Sequence, residues 1–190
     1  MLFSLLAGGA VSADQKDARL HDLFSRLLIA PGPAEAQVIE GAIWHIWVQS
    51  DDGAVRALME DGVAAMSRRD YRRALSRFDQ MVAIAPDFAE GWNKRATVHY
   101  LMGNYSASLG DIVRTLELEP RHFGALSGRG LVYVALEDEQ RALEALSRRW
   151  PFIPIWFRRR STPKRCARAC ARNRSRYRPA ACARCRRRRS

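Results

Sequence analysis

The stretch that decides the fold covers residues 55–88 and has the sequence VRALMEDGVAAMSRRDYRRALSRFDQMVAIAPDF. Residues 89–122 align with it without a gap, and a third copy starts at Phe123. In every copy the fourth and twenty-fourth positions are bulky and apolar: they are Leu58, Trp92 and Leu126, and Phe78, Ile112 and Leu146. The eighth and twentieth positions are small: they are Gly62, Ala96 and Gly130, and Ala74, Ser108 and Ala142. A fixed period of this length is the signature of a stacked-repeat architecture.

Each copy predicts two helices, helix A over roughly positions 1 to 14 and helix B over roughly positions 17 to 30. The turns between them are predicted at Arg69–Asp70, Gly103–Asn104 and Glu137–Asp138, of which the second has the best turn residues because Gly and Asn tolerate a positive φ. Small side chains at the eighth and twentieth positions let the two helices approach to about 8–10 Å. Enlarging Ala74 or Ala142 is therefore expected to overpack the crossing.

The pattern resembles that of the tetratricopeptide repeat (TPR) family. It combines this period with Tyr71 or Tyr105 at the seventeenth position, a small residue at the twentieth and Pro86 or Pro120 at the thirty-second. The resemblance covers about half of the chain. It implies an all-α solenoid of stacked helical hairpins that binds other proteins. On this basis we predict three repeats, with bounds 55–88, 89–122 and a truncated 123–149.

A further helical hairpin is predicted over residues 14–52, before the first repeat. One apolar stripe ends at the breaking sequence Pro31-Gly32-Pro33, and a second follows it. The members of the two stripes are Leu20, Leu23, Phe24, Leu27 and Leu28, then Val38, Ile39, Ala42, Ile43, Ile46 and Trp47. Because a terminal repeat must cover a face that has no neighbour, we interpret this hairpin as an N-terminal cap.

The TPR resemblance also implies a binding surface. In the family, helix A lines a concave face with its second, fifth, ninth, twelfth and thirteenth positions. In this chain they are Arg56, Met59, Val63, Met66 and Ser67; Glu90, Asn93, Thr97, Tyr100 and Leu101; Gly124, Ser127, Leu131, Val134 and Ala135. This mostly apolar surface suits an extended or helical peptide from an unidentified protein partner. The alternative is that part of the stripe packs against the cap helices.

A subset of TPR proteins clamps a C-terminal carboxylate with cations and amides on helix A. Only Asn93 and Lys94 match that pattern here, while the fifth position holds Met59 in the first copy and the ninth holds Val63. One cation and one amide cannot give the bidentate geometry that carboxylate capture favours. The sequence therefore disfavours such a clamp.

Catalytic and metal-binding motifs give little support to an enzyme. The histidines are scattered at His21, His45, His99 and His122, and none has a partner at metal-ligand spacing. No nucleophile elbow, phosphate loop or paired-carboxylate motif occurs. We predict no catalysis, no cofactor and no metal.

Charge divides the chain into two parts. Residues 1–146 carry a net charge of −5, whereas residues 147–190 carry +17 and have no acidic residue. The N-terminal segment 1–13 is apolar, ends with small residues at Val11-Ser12-Ala13 and is too short to span a bilayer. It is predicted to be a signal peptide or an apolar first segment. A signal peptide would place a bacterial protein in the periplasm or outside the cell, and a cytoplasmic location is the alternative.

The Arg/Cys-rich tail, 150–190, admits two functional interpretations. Sixteen arginines follow Leu146, which would suit nucleic acid or another anionic surface. The cysteines at positions 166, 170, 182 and 185 have spacing that superficially resembles a zinc site. Both are disfavoured, because residues 147–190 have 16 Arg to one Lys, and Tyr177 is the only aromatic residue in the Arg/Cys segment. Its charge density predicts disorder.

The end of the third repeat favours a different origin for this tail. The codons of Arg149–Trp156 can be read in another frame, in which each codon starts at the third base of the preceding one. In that frame the Trp150 codon, which ends in G, and the Pro151 codon, which begins with CC, together give GCC, an alanine codon. The neighbouring codons permit Leu-Ala-Ile-His-Pro-His-Leu, with proline at the thirty-second position of the repeat. We therefore predict that the reading frame shifted near residues 146–149.

Overall fold

The computed structural model describes residues 15–147, which fold into eight α-helices with no strand. The helices are α1 Arg19–Ile29, α2 Pro33–Trp47, α3 Gly53–Ser67, α4 Tyr71–Ile84, α5 Ala89–Leu101, α6 Tyr105–Leu118, α7 Phe123–Ala135 and α8 Glu139–Ser147. The predicted all-α repeat solenoid is confirmed. The signal-like segment, the end of the third repeat and the Arg/Cys-rich tail lie outside the described residues.

The repeats form the antiparallel pairs α3–α4, α5–α6 and α7–α8, and each pair packs on the next through α4 with α5 and α6 with α7. Helices α4 and α6 span the seventeenth to the thirtieth positions of their repeats, as the 34-residue period predicts. None of the described helices combines the length and apolar character that crossing a bilayer requires.

The three turns within the repeats share one backbone conformation. Arg69, Gly103 and Glu137 occupy the fifteenth position and have φ of 61°, 78° and 57°. The next residue caps helix B in two copies. The Asp70 and Asp138 carboxylates each accept a hydrogen bond from the backbone N–H of the third residue of the following helix. The left-handed turn is therefore kept even where Arg or Glu, which are strained there, replaces glycine.

Small side chains do bring helices A and B together. A Cβ atom added to Gly62 would lie 2.6 Å from Cε1 and Cζ of Phe78, which is fully buried. In the second repeat the Ser108 hydroxyl donates a 2.8 Å hydrogen bond to the carbonyl of Ala96 across the same crossing. The eighth position thus meets the twentieth and the twenty-fourth at the crossing.

The N-terminal hairpin, defined as α1 and α2, has its own core. It buries Leu20, Phe24 and Leu27 of α1 against apolar residues of α2. The α2 members of this core are Ala36, Ile39, Ile43, Ile46 and Trp47. The prediction that Val38 belongs to the apolar stripe is wrong: it is 72% exposed, because the buried positions of α2 lie on the face of its neighbour Ile39.

Candidate protein-binding groove

The N-terminal hairpin covers the beginnings of α5 and α7. The Trp47 ring stacks on the His122 ring, with centroids 4.2 Å apart and an interplanar angle of 11°. Trp44 meets the rings of His122 and Phe123 edge-on, at 5.4 and 5.3 Å. A Cβ atom added to Gly124 would lie 2.7 Å from Cη2 of Trp44. Trp44 therefore lies directly on the second position of α7.

Contacts from the chain before α1 and from α1 itself extend this interface. The Gln15 side chain hydrogen-bonds to the carbonyl of Asp87 and, at 3.4 Å, accepts from the Ala89 N–H. Lys16 lies 3.5 Å from the Asp87 carboxylate. On α1, the Phe24 ring lies 4.3 Å below the guanidinium carbon of Arg121. The hairpin is thus held against the second and third repeats.

A buried polar cluster lies beneath the two tryptophans. His122 caps α7, since its Nδ1 accepts a 3.2 Å hydrogen bond from the Ala125 N–H. That bond requires Nδ1 to be unprotonated, so the neutral ring carries its proton on Nε2. Nε2 donates to Oε2 of Glu90 at 3.0 Å, and the same oxygen accepts from Asn93 at 2.9 Å.

Lys94 completes this cluster from the rim. Its Nζ lies 2.9 Å from Oε1 of Glu90, and 5.4 Å from the centroid of the Trp44 ring. Burial alone would raise the pKa of Glu90, but the hydrogen bond from His122 and the charge of Lys94 hold that pKa below its ordinary value. The fully buried carboxylate is therefore kept ionised by its neighbours.

These contacts define two parts of the concave face. The covered half consists of Glu90, Asn93 and Gly124, which occupy the second and fifth positions of the second repeat and the second position of the third. Glu90 and Asn93 are buried, and their side chains bond to each other rather than facing solvent. The open half consists of the ninth, twelfth and thirteenth positions. Its exposed members are Val63, Ser67, Thr97, Leu101, Leu131 and Val134.

The remaining predicted groove residues differ in exposure. Met59 is buried in the core of the first repeat, and Arg56 is exposed, with Nη1 donating to the Ser50 carbonyl at 2.7 Å. Ser67 is exposed, and the half-buried members are Met66, Tyr100, Ser127 and Ala135. Partner binding at any of these residues stays a prediction.

Sequence reasoning missed the residues that close the covered half, namely Trp44, Trp47 and His122. A signal was present, because two tryptophans three residues apart lie on one side of a helix, and a histidine precedes Phe123 at the start of a repeat. Within residues 15–147 no group of three or more His, Cys, Asp or Glu is placed to hold a metal ion. The tail cysteines lie outside that range.

Fold and surface together define the class of an all-α helical-hairpin repeat protein with a concave face. The chain is 38% identical over 138 residues to a TPR repeat-containing protein of Rhizobium etli, covering 73% of this chain and 66% of the relative. It therefore belongs to the tetratricopeptide repeat family.

Other relatives match over shorter segments. The small glutamine-rich tetratricopeptide repeat-containing protein 2 of Saccharomyces cerevisiae is 27% identical over 105 residues, covering 53% of this chain and 30% of that protein. Human tetratricopeptide repeat protein 36 is 36% identical over 84 residues, covering 44% of each chain. The chain matches no protein-family model.

A solved structure of the TPR2B domain of yeast Sti1 in complex with an Hsp70 peptide is similar over half of this chain. The match has a TM-score of 0.49 and 20% sequence identity, and covers 77% of that chain.

Proposed function

We propose that this chain is a protein–protein interaction module that binds an apolar segment of a partner along the open half of its concave face. The observation that carries the proposal is the exposure of four aliphatic side chains from three successive A helices. Val63, Leu101, Leu131 and Val134 are 40%, 45%, 51% and 57% exposed. An exposed apolar stripe of this kind marks an interaction site on a soluble protein.

The covered half limits the partner that would fit. A peptide lying along the full length of the A helices would meet Trp44 over Gly124, so it must stay on the side of the ninth to thirteenth positions. That part offers aliphatic side chains, the half-buried Tyr100 and the hydroxyls of Ser67 and Thr97. Both hydroxyls already donate to backbone carbonyls, that of Val63 at 3.0 Å and that of Asn93 at 2.9 Å. The partner segment is therefore expected to be apolar, with anchors from one face of a helix or from alternate residues of an extended strand.

A matched pair of substitutions tests this proposal. Val134 lies in the open half and is 57% exposed, whereas Val113 lies on α6, outside the A helices, and is 53% exposed. Peptides are selected from a random displayed library against the full chain, and their affinities are measured by fluorescence anisotropy. We expect Val134→Glu to weaken binding at least tenfold, because it places a charge in an apolar contact, and Val113→Glu to leave it unchanged.

Two results would count against the proposal. One is the selection of charged peptides with no apolar anchors. The other is equal loss of affinity in the Val134→Glu and Val113→Glu variants. The periplasmic or secreted location stays a prediction and does not enter this test.

A further inference from the structure

An ion pair recurs inside the first two repeats. It joins the seventh position, on helix A, to the twenty-third, on helix B. In the first repeat Asp61 accepts from Nε of Arg77 at 2.8 Å. In the second the signs are reversed, and Arg95 donates from Nε and Nη2 to both oxygens of Asp111, at 2.8 and 2.7 Å. The two positions therefore form an ion pair in both repeats, but the acidic and the basic residue change places.

The third repeat keeps the cation of this pair and loses the anion. Arg129 occupies the seventh position, but the twenty-third is Ala145. The second carboxylate that reaches Arg95, from Asp79 of the preceding repeat at 3.0 Å, also has no counterpart, because Val113 occupies the equivalent position. Within residues 15–147, no carboxylate forms an ion pair with Arg129.

A cavity of about 180 Å³ lies beside this guanidinium. It is lined by Arg129, Tyr133, Arg141, Glu144 and Ala145. A single water needs only about 10–15 Å³ of such volume, so the cavity has room for a small organic group. Ala145 supplies only a methyl group at the position that Asp111 occupies one repeat earlier.

The other charges lining the cavity already have partners. Arg141 lies 2.9 Å from the Asp138 carboxylate, and its guanidinium carbon is 5.6 Å from the centroid of the Tyr133 ring. Glu144 accepts a 2.6 Å hydrogen bond from Gln140. Its carboxylate would repel an incoming anion, but it forms no ion pair with Arg129. Within residues 15–147, Arg129 and Glu144 are therefore the lining charges without an ion-pair partner, and of these two only Arg129 can attract an anion.

We propose that the α7–α8 cavity is a binding site for a carboxylate, which pairs with Arg129 as Asp111 pairs with Arg95. The guanidinium fork favours two parallel hydrogen bonds to one carboxylate, the geometry seen in the second repeat. The site uses the seventh and twenty-third positions, which are separate from the open half of the groove. The proposal therefore does not depend on the proposed function.

The carboxylate can come from a free organic acid or from an Asp or Glu side chain of a protein. An NMR titration of the full chain separates these sources by following the Nε–Hε signal of Arg129, which is identified by its loss in Arg129→Gln. One arm uses succinate and the other a blocked tripeptide with a single Asp. Sodium chloride at equal ionic strength and the matching Asn tripeptide are the controls.

We expect a saturable shift of the Arg129 signal with at least one of the two carboxylates and none with the controls. A response to succinate alone identifies a free acid, and a response to the Asp peptide alone identifies a side chain. Ala145→Asp rebuilds the ion pair of the second repeat. In that variant the Arg129 signal should be shifted before any carboxylate is added, and the affinity for the added carboxylate should fall at least tenfold. Glu144→Gln should strengthen binding.

The absence of a saturable shift in both arms would overturn the proposal, as would an unchanged titration in Ala145→Asp. If Ala145→Asp fails to fold, Arg129→Gln serves in its place, with the remaining chemical shifts used as the readout. Loss of the ligand-induced shifts around Tyr133 then supports the site, and their persistence contradicts it.

Discussion

The covered half of the concave face lies on α5 and α7, the open half extends over all three A helices, and the two halves have opposite chemistry. Near the beginnings of α5 and α7, a carboxylate, an amide and an imidazole are buried beneath two tryptophans. Two turns further along, aliphatic side chains are exposed on the same face. The comparison shows that the N-terminal hairpin, and not the 34-residue period, determines which part of the groove is available.

The largest expected effect comes from removing the ring that closes the covered half. Trp47 is 1% exposed, and its indole N–H is among the buried groups without a hydrogen-bond partner in residues 15–147, so no partner is left unsatisfied by its loss. Trp47→Ala should lower the free energy of unfolding by about 3–5 kcal/mol, measured by urea denaturation.

The contrasting substitution is Val134→Ala in the open half. Because Val134 is largely exposed, this change should alter the free energy of unfolding by less than about 0.5 kcal/mol. Equal costs for the two variants would remove the distinction between the halves.

The buried carboxylate gives a smaller effect that depends on pH. Glu90→Gln removes the ion pair with Lys94 and should cost about 1.5–3 kcal/mol near neutral pH. The pKa of Glu90 is lowered in the folded state from its ordinary value of 4.5, so the unfolded chain takes up the proton first as the pH falls. The difference between the native chain and Glu90→Gln should be constant above pH 4.5 and shrink as the pH falls through the lowered pKa.

Urea denaturation at a series of pH values from 7 to 3 measures this difference. The control is Glu117→Gln, because Glu117 is paired with Arg114 at the surface and should contribute little at any pH. A difference for Glu90→Gln that stays the same down to pH 3 would contradict the assigned role of Glu90.

The smallest change that tests the comparison of the two halves is the addition of one methyl group, at either of two glycines of α7. At Gly124 a Cβ atom would lie 2.7 Å from the rigid Trp44 ring, whereas at Gly128 it would lie 3.6 Å from the Ile112 methyl group, an ordinary contact. Both substitutions gain helix propensity. We expect Gly124→Ala to be about 1–2 kcal/mol less stable than Gly128→Ala because only the first overpacks the hairpin interface. Thermal or urea unfolding would show this, and equal stabilities would argue against the contact.

Much of the repeat fold could be predicted because its determinants are local and periodic. Helices α4 and α6 have the predicted bounds, and the left-handed turns recur at Arg69, Gly103 and Glu137. The small residues of the helix crossing were also identified from spacing alone, as Gly62 against Phe78 shows. Each of these features depends on residues fewer than 20 positions apart.

The candidate site was harder to predict because its contacts are long-range and not periodic. Glu90 was expected to face the groove, but its partner His122 lies 32 residues away and becomes a helix cap only when the third repeat forms. The position of the hairpin over α7 brings Trp44 to Gly124, 80 residues further along the chain. A period within the repeats contains no information about an element outside them, so the covered half could not be distinguished from the open half.

The central claim, that the N-terminal hairpin lies on the beginnings of α5 and α7, is tested most directly by a nuclear Overhauser spectrum of the full chain. We predict cross-peaks between the Trp44 indole protons and the Hα protons of Gly124, together with a ring-current shift of those Hα signals. The absence of these cross-peaks, with Gly124 Hα at its ordinary helical shift, would show that the hairpin does not cover this part of the concave face.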